Sequence, residues 1–249
     1  MGACCIQYVL LLSLLGFFPC SDTLTCQEGS IMKLGQNFSK AAIEWPKNTT
    51  VSIHGDRLMC QETLVLIDVG ENSLMIGSKG SIKDSDQTQN IQVFSAGPGI
   101  VAASYVHFCD TELCNNADST SVLLNNLSLS AYNEPGTIQC DVCLNFGSLC
   151  KNTSILASCP METKCYAGTF VVNRGGISTF FDIFGCLSSS YTYLFKNQTS
   201  IGILGIKETL KKNNTTSFSH VLVPSTLPVW MLGLRALLSP LCAGICPLC

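Results

Sequence analysis

Two apolar stretches bracket the chain, Ile6 to Phe18 and Val221 to Cys249, and the sequence between them alternates short β-prone runs with turn residues. Thr63 to Val69 is one such run, Gly70-Glu71-Asn72 reads as its turn, and Leu74 to Gly77 returns. Ile91 to Ser95, the turn Gly97-Pro98-Gly99 and the long run Ile100 to Phe108 make a second hairpin. Tyr166 to Val172, Asn173-Arg174-Gly175-Gly176 and Ile177 to Phe184 repeat that design downstream, each hairpin with a cysteine at its base. Short hairpins are not stable alone in water, so the pattern predicts a small, disulfide-rich all-β fold. Ala117 to Pro135 has few β signals and ends in Asn133-Glu134-Pro135-Gly136, which predicts a linker; Leu123, Leu124 and Leu127 give it an apolar side able to pack on a domain. The expected organisation is a signal peptide at 1–23, a β-domain at 24–116, a linker at 117–136, a second β-domain at 137–212 and a processed region at 213–249.

The ends set the compartment. The N-terminal block runs into Pro19-Cys20-Ser21, as a secretory apolar region runs into its small-residue cleavage zone, although no Lys or Arg precedes it. Met1-Gly2 does not complete a myristoylation signal, because Ile6 stands where Ser or Thr is required. Towards the C-terminus a polar spacer from Lys211 to Ser217 precedes the second apolar stretch, with no basic tail beyond it. Small residues, a polar spacer and an apolar terminus form the signal for exchange onto a glycosylphosphatidylinositol (GPI) lipid. Asn213, Asn214 and Ser217 are the attachment candidates. A spanning helix competes with this reading, but Arg235 near its middle costs about 2.5 to 3.5 kcal/mol, and Pro224, Pro228, Pro240 and Pro247 interrupt it. The expected location is the extracellular face of the plasma membrane, with a secreted form as the alternative.

Of sixteen cysteines, Cys4, Cys5 and Cys20 fall in the leader and Cys242, Cys246 and Cys249 in the tail, so an even set of ten remains: Cys26, Cys60, Cys109, Cys114, Cys140, Cys143, Cys150, Cys159, Cys165 and Cys186. An even set in an oxidising compartment is a disulfide framework. Seven N-glycosylation sequons, at Asn37, Asn48, Asn126, Asn152, Asn197, Asn213 and Asn214, agree with the secretory route. With both ends removed, roughly 190 residues are left, two domains of about 90 each. Domains of that size bury limited apolar area, and cross-links are the expected supplement.

Charge and chemistry narrow the function. Residues 24 to 130 carry 6 basic and 11 acidic side chains, a net of −5, and residues 131 to 214 carry 7 and 5, a net of +2. No basic stripe argues for nucleic acid. Cys140-x2-Cys143 invites a zinc or redox reading, but it lacks a second ligand pair and a βαβ context and sits among cysteines that already form a disulfide grammar. Between the two ends the histidines are His54 and His107, and Ser104 lies three residues from His107, so on a strand the two point to opposite faces. Asp84 with Asp86 lacks the glycine and distal glutamate of a calcium loop. Trp45, Phe38 and Ile43 form either an exposed contact patch or the packed face of the first hairpin, of which packing is the simpler. The expectation is a non-enzymatic protein without a cofactor or metal.

Nearly the whole chain resembles the lymphocyte-antigen/urokinase-receptor superfamily of three-finger domains. The resemblance is carried by Leu24-Thr25-Cys26-Gln27, Cys60-Gln61-Glu62-Thr63-Leu64, Ser78-Lys79-Gly80, Pro98-Gly99 through Ser104-Tyr105 and Leu113-Cys114-Asn115. In the second half it is carried by Cys140-Asp141-Val142-Cys143, Cys165-Tyr166, Gly175-Gly176-Ile177 and Cys246-Pro247-Leu248-Cys249. It implies two tandem urokinase-receptor-like domains, with pairs Cys26–Cys60, Cys109–Cys114, Cys140–Cys165, Cys143–Cys150 and Cys159–Cys186. It also implies that Asn115 ties the finger base to neighbouring backbone. The family pattern places a further bonded pair near Val51 and Ser81, neither a cysteine here, and no closing C-x4-C-N follows Cys186, so an incomplete third finger is expected in the second domain. The function implied is a GPI-anchored glycoprotein that binds cell-surface or secreted proteins in adhesion or receptor complexes, on leukocytes or sperm. The alternative is a soluble inhibitor-like protein that binds phospholipase A2.

Overall fold

The computed structural model describes residues 23–46, 49–55, 57–83, 85–129, 134–147 and 150–211. The expected signal peptide as far as residue 22, Asn48, Asp84, and the expected attachment candidates Asn213, Asn214 and Ser217 lie outside the described residues. Six strands form the first sheet: β1 (Thr23–Gln36), β2 (Thr49–His54), β3 (Leu58–Val69), β4 (Asn72–Lys83), β5 (Thr88–Ala96) and β6 (Val101–Cys109), in the order β2-β1-β4-β3-β6-β5. Six more form the second: β7 (Pro135–Phe146), β8 (Ile155–Pro160), β9 (Thr163–Arg174), β10 (Ile177–Ser188), β11 (Ser200–Ile201) and β12 (Leu204–Leu210), in the order β8-β7-β10-β9-β12-β11. The second order is the first shifted by six, so each sheet is three antiparallel hairpins joined in the same way. Two single-turn helices complete the described elements, α1 (Ser121–Leu124) and α2 (Cys150–Thr153).

The third hairpin of the second domain, expected to be incomplete, is present as β11–β12. Its outer strand has only two residues, and β12 pairs with β9 as β6 pairs with β3. No cysteine marks it. Its inner strand is held instead by apolar residues, Leu204 and Ile206, which are buried.

The apolar run in β3 is continuous because both of its faces are covered, whereas a half-exposed strand alternates. Val65 and Ile67, with Leu74, Ile76, Phe94 and Ile100, face the second sheet and join Phe170, Val172, Phe181, Ile183, Leu204 and Ile206 in one core. Leu64 and Leu66 point the other way, onto Trp45, Met75, Tyr105 and Leu123. The predicted linker contributes Leu123, fully buried, and α1 to that second core, so it is part of the first domain's packing rather than a free connector. Trp45 is buried and Phe38 and Ile43 pack beside it, which makes them the packed face of the first hairpin.

The seam between the sheets is close enough to require glycine. Gly99 has φ +92, and a Cβ there would overlap the carbonyl of Cys186 from the second domain; Ile100 N donates to that same carbonyl at 2.8 Å. A Cβ at Gly202, φ +53, would overlap the Thr63 side chain of the first domain. Ser78 Oγ donates to Gly175 O at 2.8 Å, adding a polar contact across the seam.

Candidate functional site: the tied bases of the two domains

The disulfides gather where the hairpins converge. Cys26–Cys60 and Cys109–Cys114 fasten the first domain; Cys140–Cys165, Cys143–Cys150 and Cys159–Cys186 fasten the second. Cys60 and Cys109 are register partners on β3 and β6, and Cys165 and Cys186 on β9 and β10. Each of these pairs is adjacent across its strands yet bonded elsewhere: Cys26–Cys60, Cys140–Cys165 and Cys159–Cys186 staple neighbouring hairpins, while Cys109–Cys114 closes the loop after β6. Val51 lies opposite Cys26 and Ser81 opposite Cys60 in register, flanking the same bond. Cys140 and Cys143 bond to different partners and form no vicinal dithiol. The sulfurs of Cys140, Cys159 and Cys186 lie within 4.8 Å of one another, but all are in disulfides and offer no thiolate to a metal.

Asn115 stands where the strands of the first domain meet and is fully buried. Its Oδ1 accepts Gln27 N at 2.9 Å, and its Nδ2 donates to Gln27 O at 2.8 Å, Gln61 O at 3.0 Å and Gly80 O at 3.4 Å. Gln27, Gln61 and Gly80 belong to β1, β3 and β4, so one amide links three strands. Next to it lies a buried charged group that sequence reasoning passed over. Glu62 accepts Tyr105 Oη at 2.7 Å and Ala117 N at 3.0 Å, and lies 3.3 Å from His107 Nδ1 and 3.8 Å from Lys79 Nζ. Lys79 in turn donates to Gln27 Oε1 at 3.0 Å and to Ala117 O, and sits 4.7 Å from the Trp45 ring centroid. Ionised groups this deep are tolerated only when paired and hydrogen-bonded. His107 is engaged with Glu62, while Ser104 is buried on the opposite face of β6, and the two do not meet.

The second domain repeats this with different residues. Glu208 accepts Tyr166 Oη at 2.6 Å, Leu194 N at 2.7 Å and Phe195 N at 3.1 Å, tying β12 to β9 and to the loop before β11. Asp182 accepts Thr169 Oγ1 at 2.7 Å and Lys211 Nζ at 2.6 Å. These bonds fasten a hairpin that lacks the closing cysteines. In the β10 run ISTFFDIFGCLS the signal is a lone charge, Asp182, inside an apolar strand, whereas in the β12 run LGIKETL Glu208 stands beside Lys207 and carries no such mark.

Burial, the neighbouring Glu62 charge and the bond to it raise the Tyr105 phenol far above its usual range, and burial with Glu208 does the same to Tyr166. In the unfolded chain both ionise near pH 10. The unfolded state therefore binds fewer protons above that pH, so the stabilisation is complete below about pH 10 and is lost as pH rises beyond it. In an ultraviolet tyrosinate titration two phenols should stay silent until the chain unfolds, and Tyr105→Phe should remove one of them. Ionisation of every tyrosine before unfolding would refute the assignment.

Among sequon residues, Asn37, Asn126 and Asn197 are exposed, and Asn152 lies in α2. Two sheets of three hairpins, each fanning from a disulfide-tied base, define a protein of the three-finger class. The chain belongs to the Ly6/uPAR (lymphocyte-antigen/urokinase-receptor) family: it is 30% identical to testis-expressed protein 101 of Mus musculus over 213 residues, covering 84% of each chain. It is 39% identical to the CD177 antigen of Mus musculus over 93% of its own length, but spans only 29% of that relative. Ly6/PLAUR domain-containing protein 4 of Bos taurus is 30% identical and matched over 70% of this chain and 73% of its own. The crystal structure of mouse TEX101 superposes with a TM-score of 0.65 at 25% identity, covering 75% of this chain and 97% of that one. No family model matches the chain.

Proposed function

We propose that the protein is a non-enzymatic cell-surface glycoprotein, held on the outer leaflet by a GPI lipid, that acts by binding other proteins in adhesion or receptor complexes. The observation that carries this reading is the scaffold itself. The buried ionisable groups Glu62, Lys79 and Asp182 and the half-buried Glu208 are engaged in tying strands together, and the disulfides hold the hairpins rigid enough to present their surfaces. Such scaffolds act through what their loops and sheet edges display. The signal-like N-terminus, the polar spacer before an apolar C-terminus and the exposed sequon residues support the surface location. Likeness to the CD177 antigen and to testis-expressed protein 101 supports leukocytes or the male germ line as the setting.

Phosphatidylinositol-specific phospholipase C applied to intact expressing cells should release the protein into the medium in full. Retention on the cells after cleavage would overturn the anchor.

A further inference from the structure

The sheets end on four outer strands, β2 and β5 in the first and β8 and β11 in the second. An outer strand offers a row of backbone groups to any segment able to pair with it, and proteins block it with charge, proline, covering or shortness. Three of the four have a sequon at their entrance: Asn48 before a β2 start at Thr49, Asn152 before a β8 start at Ile155, and Asn197 before a β11 start at Ser200. By sequence order alone, a glycan at each of these positions would stand beside the first residues of its outer strand. β5 is the exception. Its nine residues, TQNIQVFSA, contain no sequon, charge or proline. Its C-terminal half is closed by the register shift between Val93 and Ser95 and by Lys196 Nζ, which donates to Val93 O at 3.4 Å. Thr88 to Gln92 is the open part, and Thr88, Gln89 and Asn90 are exposed.

That open half forms a wall of a cleft of about 390 Å³ between the two domains. Asn90, Gln92, Ser104 and Phe108 line it from the first sheet, and Gln198 and Ser200 from the second domain. Gln198 Nε2 donates to Gln92 Oε1 at 3.3 Å across it. Every lining side chain is uncharged. A charged side chain entering there loses hydration and meets no counter-charge, whereas a neutral hydrogen-bonding one meets amides and hydroxyls.

We propose that Thr88 to Gln92 and this cleft are the docking site for an extended, neutral segment of a partner protein, which adds to the sheet as a strand beside β5 and places alternate uncharged side chains in the cleft. The inference rests on the binding function above and gives it a surface.

The test uses the glycosylated protein from mammalian cells and a fluorescent peptide of alternating threonine and valine. The peptide should bind, and versions with alternate backbone amides methylated, or with lysine at alternate positions, should bind at least about tenfold more weakly. Gln92→Thr makes Asn90 a glycan acceptor, placing a glycan on this edge, and should abolish binding. The double variant Asn90→Gln with Gln92→Thr carries no glycan there and should recover binding that glycosylated Gln92→Thr lacks, which separates blockage from misfolding. Absence of peptide binding, equal binding of the methylated peptide, or binding retained by glycosylated Gln92→Thr overturns the site. So does a protein that is already a dimer through β5. Failure of the binding function itself is a different result: no protein would crosslink to the unaltered chain on its own cells. A crosslinked partner that persists with Gln92→Thr sinks only the site.

Discussion

Truncating Phe170 to alanine is expected to cost about 3 to 5 kcal/mol and to destabilise both sheets together. Phe170 is fully buried, with ring centroids 5.6 Å from Phe181 and 5.2 Å from Phe195, and the core around it includes Val65, Ile67 and Phe94 from the first sheet. The lost ring leaves a cavity at the seam that neither domain closes alone. Trp45 reports the outcome, because it sits in the other core, on the far side of the first sheet. The second tryptophan, Trp230, lies in the C-terminal apolar stretch, outside the described residues. Under denaturant, Trp45 fluorescence and amide exchange in β9 and β10 should shift by the same amount in Phe170→Ala. A Trp45 transition unmoved by the substitution would mean that the domains fold independently.

The hairpins were legible from sequence because their turns are chemical: Gly175 and Gly176 adopt φ +61 and +75, and Gly70 adopts +61, conformations that favour glycine. The shared core was not. A continuous run such as that in β3 announces that both faces are covered without saying by what, and Val65 and Leu66 are equally apolar though they face different cores. The β11–β12 hairpin was hidden for the opposite reason: a two-residue outer strand leaves no period to detect, and its base is tied by Glu208 in place of a cysteine. Disulfide connectivity cannot be read from spacing alone, so the five pairs entered only through the family resemblance. Buried charge was passed over although it leaves a trace in the sequence. Lys79 and Glu62 each stand alone in a strand otherwise free of charge near them, a pattern that demands a partner, but their meeting depends on the β3–β4 register, which pairs Glu62 with Lys79.

Asn115→Asp tests the base of the first domain with almost no change of shape. In the native protein the two Nδ2 protons serve Gln27 O and Gln61 O, with Gly80 O a longer, shared contact at 3.4 Å. A carboxylate has none, so an oxygen would face carbonyl oxygens of three strands in a site without solvent. An uncompensated buried charge of this kind costs about 3 to 5 kcal/mol, a large part of the stability of a small domain. Asn115→Ala, which strands the same carbonyls but adds no charge, should cost less, about 1 to 3 kcal/mol. The pH dependence separates the two. The site raises the carboxyl's folded-state pKa above its unfolded value of about 3.9, so the aspartate variant is least impaired below that pH. Its deficit grows as pH rises through the folded-state pKa. Urea titrations of the three proteins at acid and neutral pH should show the aspartate deficit widening with pH while the alanine deficit stays constant. An aspartate variant as stable as the native protein at neutral pH would mean that the carbonyls of β1, β3 and β4 find their donors elsewhere, and that Asn115 does not hold the finger base.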